Sequence, residues 1–235
     1  MKKRILTTAL LLVLMPALLH ARAFSGELFN IEIDSRFSQA EDTYVWQTAD
    51  GAANVNIVVN RNSDRLNIWK LDESDLPELE SQFAEQIQEE IDAQFPNSDV
   101  SVMIETLQSS LESIGEYPAI LMDLQTTYVI GENVVKLHQY AYILTSKNYM
   151  YVITFTFLAD SANASLLQSR FDMMESFVIQ DELYTKPSLR LKPNSVLPSI
   201  LIGGCLGGGL ALVIVLFSRR NKNPNSPVPP MPPPI

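Results

Sequence analysis

A single histidine and one cluster of carboxylates are the residues of this chain best suited to chemistry. His138 is the only histidine after residue 23, so a Ser-His-Asp site would have to use it. No G-x-S-x-G motif accompanies it. Alternation along its predicted strand puts His138 on one face with Lys136, Tyr140 and Tyr142. We therefore expect a histidine on a sheet surface, no catalytic residues and no enzyme activity.

The acidic cluster spans residues 72–80 and holds five carboxylates, from Asp72 to Glu80. Carboxylates can bind Ca²⁺, but the spacing and the glycine of an EF-hand loop are missing. Negative side chains also stabilise the start of a helix, and a predicted helix begins here. The only cysteine, Cys205, lies in an apolar run, which argues against a zinc or copper site. We predict no metal and no other cofactor.

The first half of the outer chain predicts three strands and one helix. Alternating apolar residues favour strands at residues 28–33, 44–47 and 55–59. Asp75 and Glu78 fit a helix-capping pattern, and Pro96 would end the helix. Its apolar residues recur every fourth position, at Leu79, Phe83, Ile87, Ile91 and Phe95.

The second half predicts four long strands and a second helix. The strands are expected at residues 100–108, 117–129, 134–146 and 149–158, with short turns between them. Such spacing is typical of an antiparallel meander. Asp160 or Ser161 would cap the closing helix, whose inward side chains would be Leu167, Phe171, Met174 and Val178. The predicted class is α+β.

Several segments resemble the PsbP-like family, which includes bacterial DcrB-type periplasmic proteins. They are the opening residues 29–33, Tyr117-Pro118-Ala119 before a central strand, and residues 151–157 and 171–177 at the close. The resemblance covers residues 26–182. It implies an α/β/α sandwich with a central antiparallel sheet of about seven strands and two main helices. It also implies a binding or assembly role without catalysis, and no family-wide catalytic residues.

The two ends of the chain predict its location. A basic start, an apolar stretch and Ala21-Arg22-Ala23 form the pattern of a cleaved signal peptide, residues 1–23. Residues 196–217 are uncharged and long enough to cross a bilayer, and the basic flank that follows favours a cytoplasmic C-terminus. We therefore expect an extracytoplasmic domain at 24–184, a stalk at 185–195, a transmembrane helix at 196–217 and a proline-rich cytoplasmic tail at 218–235.

The charge of the outer region excludes one class of partner. All 27 acidic residues lie between residues 24 and 186, against eight basic ones, a net charge of −19. Such a surface repels phosphate backbones, so we expect no nucleic-acid binding. Solubility explains most of this charge, although a cationic partner also fits it.

Glycines in the apolar run predict helix pairing. Gly203 with Gly207 and Gly204 with Gly208 form overlapping small-xxx-small pairs, which let a second helix approach closely. We expect pairing in the bilayer with a second copy or with another membrane protein. The tail contains the PxxP pattern at residues 227–230, although composition alone produces it.

The sequence thus predicts a single-pass, membrane-anchored protein-binding or assembly module of the cell envelope, its N-terminal domain outside and its partner an unidentified membrane or envelope protein. The alternative is a small-ligand receptor or hydrolase with a pocket on one side of the sheet. Tyr140, Tyr142, Tyr149 and Tyr151 could line that pocket, although strand aromatics more often pack across strands.

Overall fold

The computed structural model describes residues 21–40, 44–94, 100–130, 132–161 and 163–185. In these residues the chain forms ten strands and two α-helices, and every strand pair is antiparallel. The elements are β1 Ala21–Ser25, β2 Phe29–Asp34, β3 Phe37–Gln39, β4 Val45–Thr48, β5 Ala53–Arg61, α1 Leu76–Gln94, β6 Val100–Ile114, β7 Tyr117–Ile130, β8 Asn133–Thr145, β9 Tyr149–Leu158, α2 Ala164–Glu175 and β10 Val178–Ile179. The predicted α+β class, a mostly antiparallel sheet with two helices, is confirmed.

The main sheet has seven strands in the order β3-β4-β5-β9-β8-β7-β6. Strands β6 to β9 form its predicted meander, because short turns join them and each pairs with the next. Strand β6 is longer than predicted and runs to Ile114. Gly115 then begins a two-residue turn at φ +58°, a conformation that glycine adopts without steric cost.

One face of the main sheet packs against α1. The predicted stripe is confirmed for Leu79, Phe83 and Ile87, which are buried against Ile120, Met122 and Ile143 of the sheet. The side chain of Ile91 and all of Phe95 lie outside what the structure describes. Apolar residues on one stripe of a helix and one face of a sheet bury each other, and this contact fixes the position of α1.

The other face packs against α2 and a small second sheet. This sheet has the order β1-β2-β10, so the predicted opening strand does not belong to the main sheet. Alternation gave the correct buried residues, Phe29, Ile31 and Ile33. Alternation shows which residues turn inward but not which sheet the strand joins, and this explains the error.

The predicted inward face of the second helix is confirmed for Met174, which is buried, and for Leu167, which packs against the core, but not for Phe171 and Val178. Asn163 caps the helix, its side chain accepting the N–H of Leu166 at 3.0 Å, in place of Asp160 or Ser161. Phe171 is 52% exposed, and Val178 lies beyond the helix in β10 and is exposed. The buried side chains of α2 are Leu166, Ser169, Arg170, Met173 and Met174. Two polar residues therefore belong to the inward face.

Strand β1 contains the predicted cleavage motif. Ala21, Arg22 and Ala23 pair with Asp34, Ile33 and Glu32 of β2. Cleavage after Ala23 would leave only Phe24 and Ser25 of this strand in the mature protein. The signal peptide remains a prediction, and residues 1–20 lie outside the described part of the chain.

Candidate functional site

A groove of about 480 Å³ lies between α2 and the hairpin of β6 and β7. Its walls are mainly apolar and aromatic: Ile114, Leu121, Tyr142, Phe171 and Met174. Its charged lining residues are one cation, Arg170, and two anions, Glu112 and Glu175. This volume is within the range of small-molecule sites, which are typically apolar with a few polar groups.

Arg170 is the most unusual residue of this groove. It is only 6% exposed, and its Nε and Nη1 atoms are buried without a hydrogen-bond partner. None of the ion pairs among the described residues includes it. A buried charge without a counter-ion is costly, so its surroundings must compensate in another way.

Aromatic rings provide part of that compensation. The guanidinium carbon of Arg170 lies 3.7 Å from the ring centroid of Tyr140 and 4.2 Å from that of Phe171. Such contacts are worth about 0.5–2 kcal/mol, depending on how far water is excluded. These ring contacts do not supply a hydrogen-bond acceptor in the plane of the guanidinium, and Nε and Nη1 stay without a partner.

The tyrosines beside Arg170 are half-buried or buried on the same sheet face. Burial raises the pKa of Tyr140, and Asp123 raises it further, while Arg170 lowers it. Burial likewise raises the pKa of Tyr142, against an opposing effect of Arg170. Both phenols therefore stay neutral at physiological pH. They can give or accept a hydrogen bond but cannot neutralise the guanidinium.

His138 lies on the same sheet face but is hydrogen-bonded to a carboxylate. Its Nε2 atom is 2.6 Å from Oδ1 of Asp123, and its ring contacts that of Tyr140 at a tilt of 36°, with centroids 4.4 Å apart. No serine or threonine hydroxyl bonds to the imidazole in the described residues, whereas a Ser-His-Asp site needs one. The predicted position on the sheet is confirmed. The pairing with Asp123 was missed.

The acidic cluster forms a helix start. Asp72 and Asp75 form a capping box on a short 3₁₀ turn immediately before α1. Glu80 accepts hydrogen bonds from the backbone N–H and hydroxyl of Ser109, at 2.6 and 2.8 Å. Within the described ranges no group of three or more His, Cys, Asp or Glu side chains could hold a metal ion. These carboxylates therefore position α1 against β6.

The end of the folded domain is fixed to the turn between β8 and β9. Asp181 accepts hydrogen bonds from Ser146 Oγ at 2.6 Å and from Asn148 Nδ2 at 2.9 Å. Burial alone would raise the pKa of Asp181, but these hydrogen bonds outweigh it and lower that pKa. Lys147 and Glu182 also form an ion pair. The chain therefore leaves the domain at a fixed point.

The groove opens at this same end of the main sheet. The register pairs Ala119 with Leu144 and Thr145 with Met150. The turn at residues 115–116 and the turn at 146–148 therefore lie side by side at one end of neighbouring strands. The groove is consequently close to the segment that leads toward the predicted stalk.

The predicted membrane residues cannot be placed in this way. Gly203, Gly204, Gly207 and Gly208, the rest of residues 196–217, and the proline-rich tail all lie outside the described residues. No helix within the described ranges has the length and apolar character needed to cross a bilayer. The anchor and the pairing of glycines therefore remain predictions.

The sequence did contain a signal for Arg170. It lies four residues after Leu166 and four before Met174, the spacing of one helix face. We placed Leu167, Phe171 and Met174 on the inward stripe, which left Arg170 outside it. An inward face drawn through Leu166, Arg170 and Met174 would have put an arginine among apolar side chains.

The fold and the groove define an α+β domain built on an antiparallel sheet, with a pocket at one sheet end. No family model and no curated protein matches the sequence. Similar solved structures include the solution structure of cyanobacterial PsbP from Synechocystis, with a TM-score of 0.44 and 13% identity over 68% of this chain and 92% of that one. A crystal structure from Bacteroides thetaiotaomicron has a TM-score of 0.42 and 12% identity, over 70% of this chain and 50% of that one. Similarities at this level do not assign a family or an activity.

Proposed function

We propose that the chain is a membrane-anchored binding or assembly module of the cell envelope that works without catalysis. After cleavage of residues 1–23, the domain at 24–184 stays outside the cytoplasm on the helix at 196–217. The partner is another membrane or envelope protein. The glycine pairs of the helix add a second contact inside the bilayer.

The fixed exit of the chain is the observation that carries this proposal. Hydrogen bonds from the turn at 146–148 hold Asp181, so the stalk begins at a defined end of the domain. A stalk of residues 185–195 spans at most about 40 Å when fully extended. That end of the domain therefore stays near the bilayer. Such a tether raises the effective concentration toward neighbouring membrane proteins.

The environment of His138 supports a role without catalysis. Its imidazole contacts a carboxylate and a tyrosine ring, and the acidic cluster caps a helix. Both sets of residues thus have structural partners. The resemblance of residues 26–182 to the PsbP-like family points in the same direction.

Crosslinking of the full-length protein in its native membrane tests the proposal. We expect a recurrent partner that co-purifies with the tagged chain and is lost when residues 24–184 are deleted. A matched variant that lacks only the tail at 218–235 should keep the partner. Recovery of the same partner after deletion of the outer domain would refute docking through that domain.

The second candidate function is a small-ligand receptor. The groove beside α2 favours it, because a buried unpaired arginine faces mainly apolar walls there. A hydrolase at this site has less support, since His138 is not among the lining residues of the groove. A receptor would bind its ligand in purified form, without any other envelope protein.

A further inference from the structure

We propose that the groove between α2 and the β6–β7 hairpin binds a monocarboxylate with an apolar body, and that Arg170 holds the carboxylate. This inference rests on the second candidate function and specifies its ligand class. The groove, Arg170 and the two acidic lining residues each limit the chemistry of the occupant.

The first limit comes from the arginine. Arg170 is 94% buried, yet Nε and Nη1 have no hydrogen-bond partner. The rings of Tyr140 and Phe171 contact the guanidinium but accept no in-plane hydrogen bond. The N–H bonds of Nε and Nη1 do not run parallel, so a carboxylate bound to the planar guanidinium pairs one of these two atoms with Nη2. An anion of this shape supplies a counter-charge and one of the two missing hydrogen-bond partners.

The second limit comes from the remaining lining. Ile114, Leu121 and Met174 give the groove apolar walls, which favour a ligand with an apolar body. Glu112 and Glu175 also line it and repel any anion, so each further negative charge on the ligand adds to the cost while Arg170 can offset only one. A dianionic phosphate fits poorly for this reason. One carboxylate on an apolar group fits both observations.

The position of the groove is compatible with two sources of a carboxylate ligand, the membrane and the surrounding solution. It opens at the end of the sheet where the chain leaves the domain. Under the proposed anchoring, that end lies near the bilayer, where alkyl carboxylates are released from lipids. Aryl carboxylates dissolved outside the membrane share the same charged group, so the test must contain one ligand of each kind.

The test measures binding of hexanoate and of 3-phenylpropionate to the full-length protein in lipid nanodiscs by calorimetry. The neutral amides of both acids serve as matched ligands of the same shape. We expect saturable binding of at least one acid up to about 1 mM, and at least about tenfold weaker binding of its amide. Preference for hexanoate would indicate a lipid source, and preference for 3-phenylpropionate a soluble one.

Substitution of the arginine makes the test specific. Arg170→Met should abolish the preference for the acid over the amide. Arg61→Met removes the same charge from an exposed position at the end of β5 and should leave binding unchanged. Arg170→Lys keeps the charge without the fork and should weaken binding while retaining some preference for the acid.

Thermal unfolding separates this role from a purely structural one. Both tryptophans, Trp46 and Trp69, lie in the outer domain, so their fluorescence reports on that domain within the full chain. Removal of an unpaired buried charge should leave the melting temperature of Arg170→Met unchanged or raised. A large decrease, with no binding by the wild type, would show that Arg170 only supports the fold.

The remaining outcomes also decide between the ideas. Equal binding of acid and amide would overturn the carboxylate class while keeping a receptor. Failure of all four ligands to bind would overturn the inference outright. Neither result affects docking to an envelope protein, because crosslinked partners of the outer domain are measured separately.

Discussion

Replacement of Phe83 by alanine should reveal how strongly the α1 face holds this domain together. Phe83 is 1% exposed and packs in the cluster that joins α1 to the main sheet. Truncation of a buried phenylalanine costs about 3–5 kcal/mol, from lost burial and from the cavity left behind. For a domain of this size each kcal/mol lowers the melting temperature by about 2–4 °C, so we expect a decrease of about 6–20 °C.

Phe171→Ala is the matched control because it removes the same atoms from an exposed helix position. Phe171 is 52% exposed, and its ring centroid lies 4.2 Å from the guanidinium carbon of Arg170. Loss of half its burial and of one cation–π contact amounts to about 1–2 kcal/mol. The cost should therefore be clearly smaller than that of Phe83→Ala.

Thermal unfolding followed by tryptophan fluorescence measures both variants in the full-length chain, with the melting temperature as the readout. Equal costs for the two substitutions would contradict the packing described above. That result would mean that α2 turns Phe171 toward the sheet, as the sequence pattern predicted. A smaller cost for Phe83→Ala than for Phe171→Ala would instead contradict the packing of Phe83 between α1 and the main sheet.

Three other predictions concern pH, topology and pairing. Burial raises the pKa of Asp34, but hydrogen bonds from Arg36 and Ser169 outweigh it and lower that pKa to about 2. The stability from Asp34 is thus present above its unfolded pKa of about 4 and is lost as pH falls from about 4 to about 2. Asp34→Asn should therefore flatten the acid unfolding curve between these two pH values. Protease added to intact spheroplasts should digest residues 24–195 and spare the tail, whereas a protected outer domain would refute the topology. Gly203→Ile combined with Gly207→Ile should abolish dimers in mild detergent, and unchanged migration would remove the pairing hypothesis.

The central strands were predictable because strong alternation and short turns coincide there. Strand β9 has the predicted bounds, β7 is one residue longer at its end, and β8 is shifted by one residue at both ends. The end of β6 was missed because polar residues such as Gln108, Ser109 and Ser110 weaken the alternation. Ser109 is instead fixed by Glu80 of α1, a contact 29 residues apart that no local pattern contains.

Contacts between distant segments explain the other errors. Strand β2 joins β1 and β10, and β10 lies near the end of the described chain. The hydroxyl of Ser176 accepts the backbone N–H of Glu32 at 2.9 Å, which ties the end of α2 to the small sheet. Periodicity fixes which side of an element is apolar, but it does not determine which element covers that side.

The candidate site was hidden because a charged residue contradicts the usual inward pattern. An arginine on a helix is normally assigned to the solvent face, since charged side chains are rarely fully buried without a partner. Arg170 breaks this rule among Tyr140, Phe171 and Met174. Departures of this kind from local consistency are expected at functional sites.

The domain is negative and Arg170 is positive, so the affinity of the groove for a carboxylate should depend on salt concentration in a way that tests the site. The outer region has a net charge of −19 and repels an incoming carboxylate over several ångströms. At 0.15 M salt the screening length is about 8 Å, so added salt weakens this long-range repulsion. The contact with Arg170 is short and buried, and salt affects it much less. Affinity for hexanoate or 3-phenylpropionate should therefore increase between about 0.02 and 0.2 M sodium chloride. A steep decrease in affinity would mean that exposed cations hold the ligand, and Arg170 would then not be the anion site.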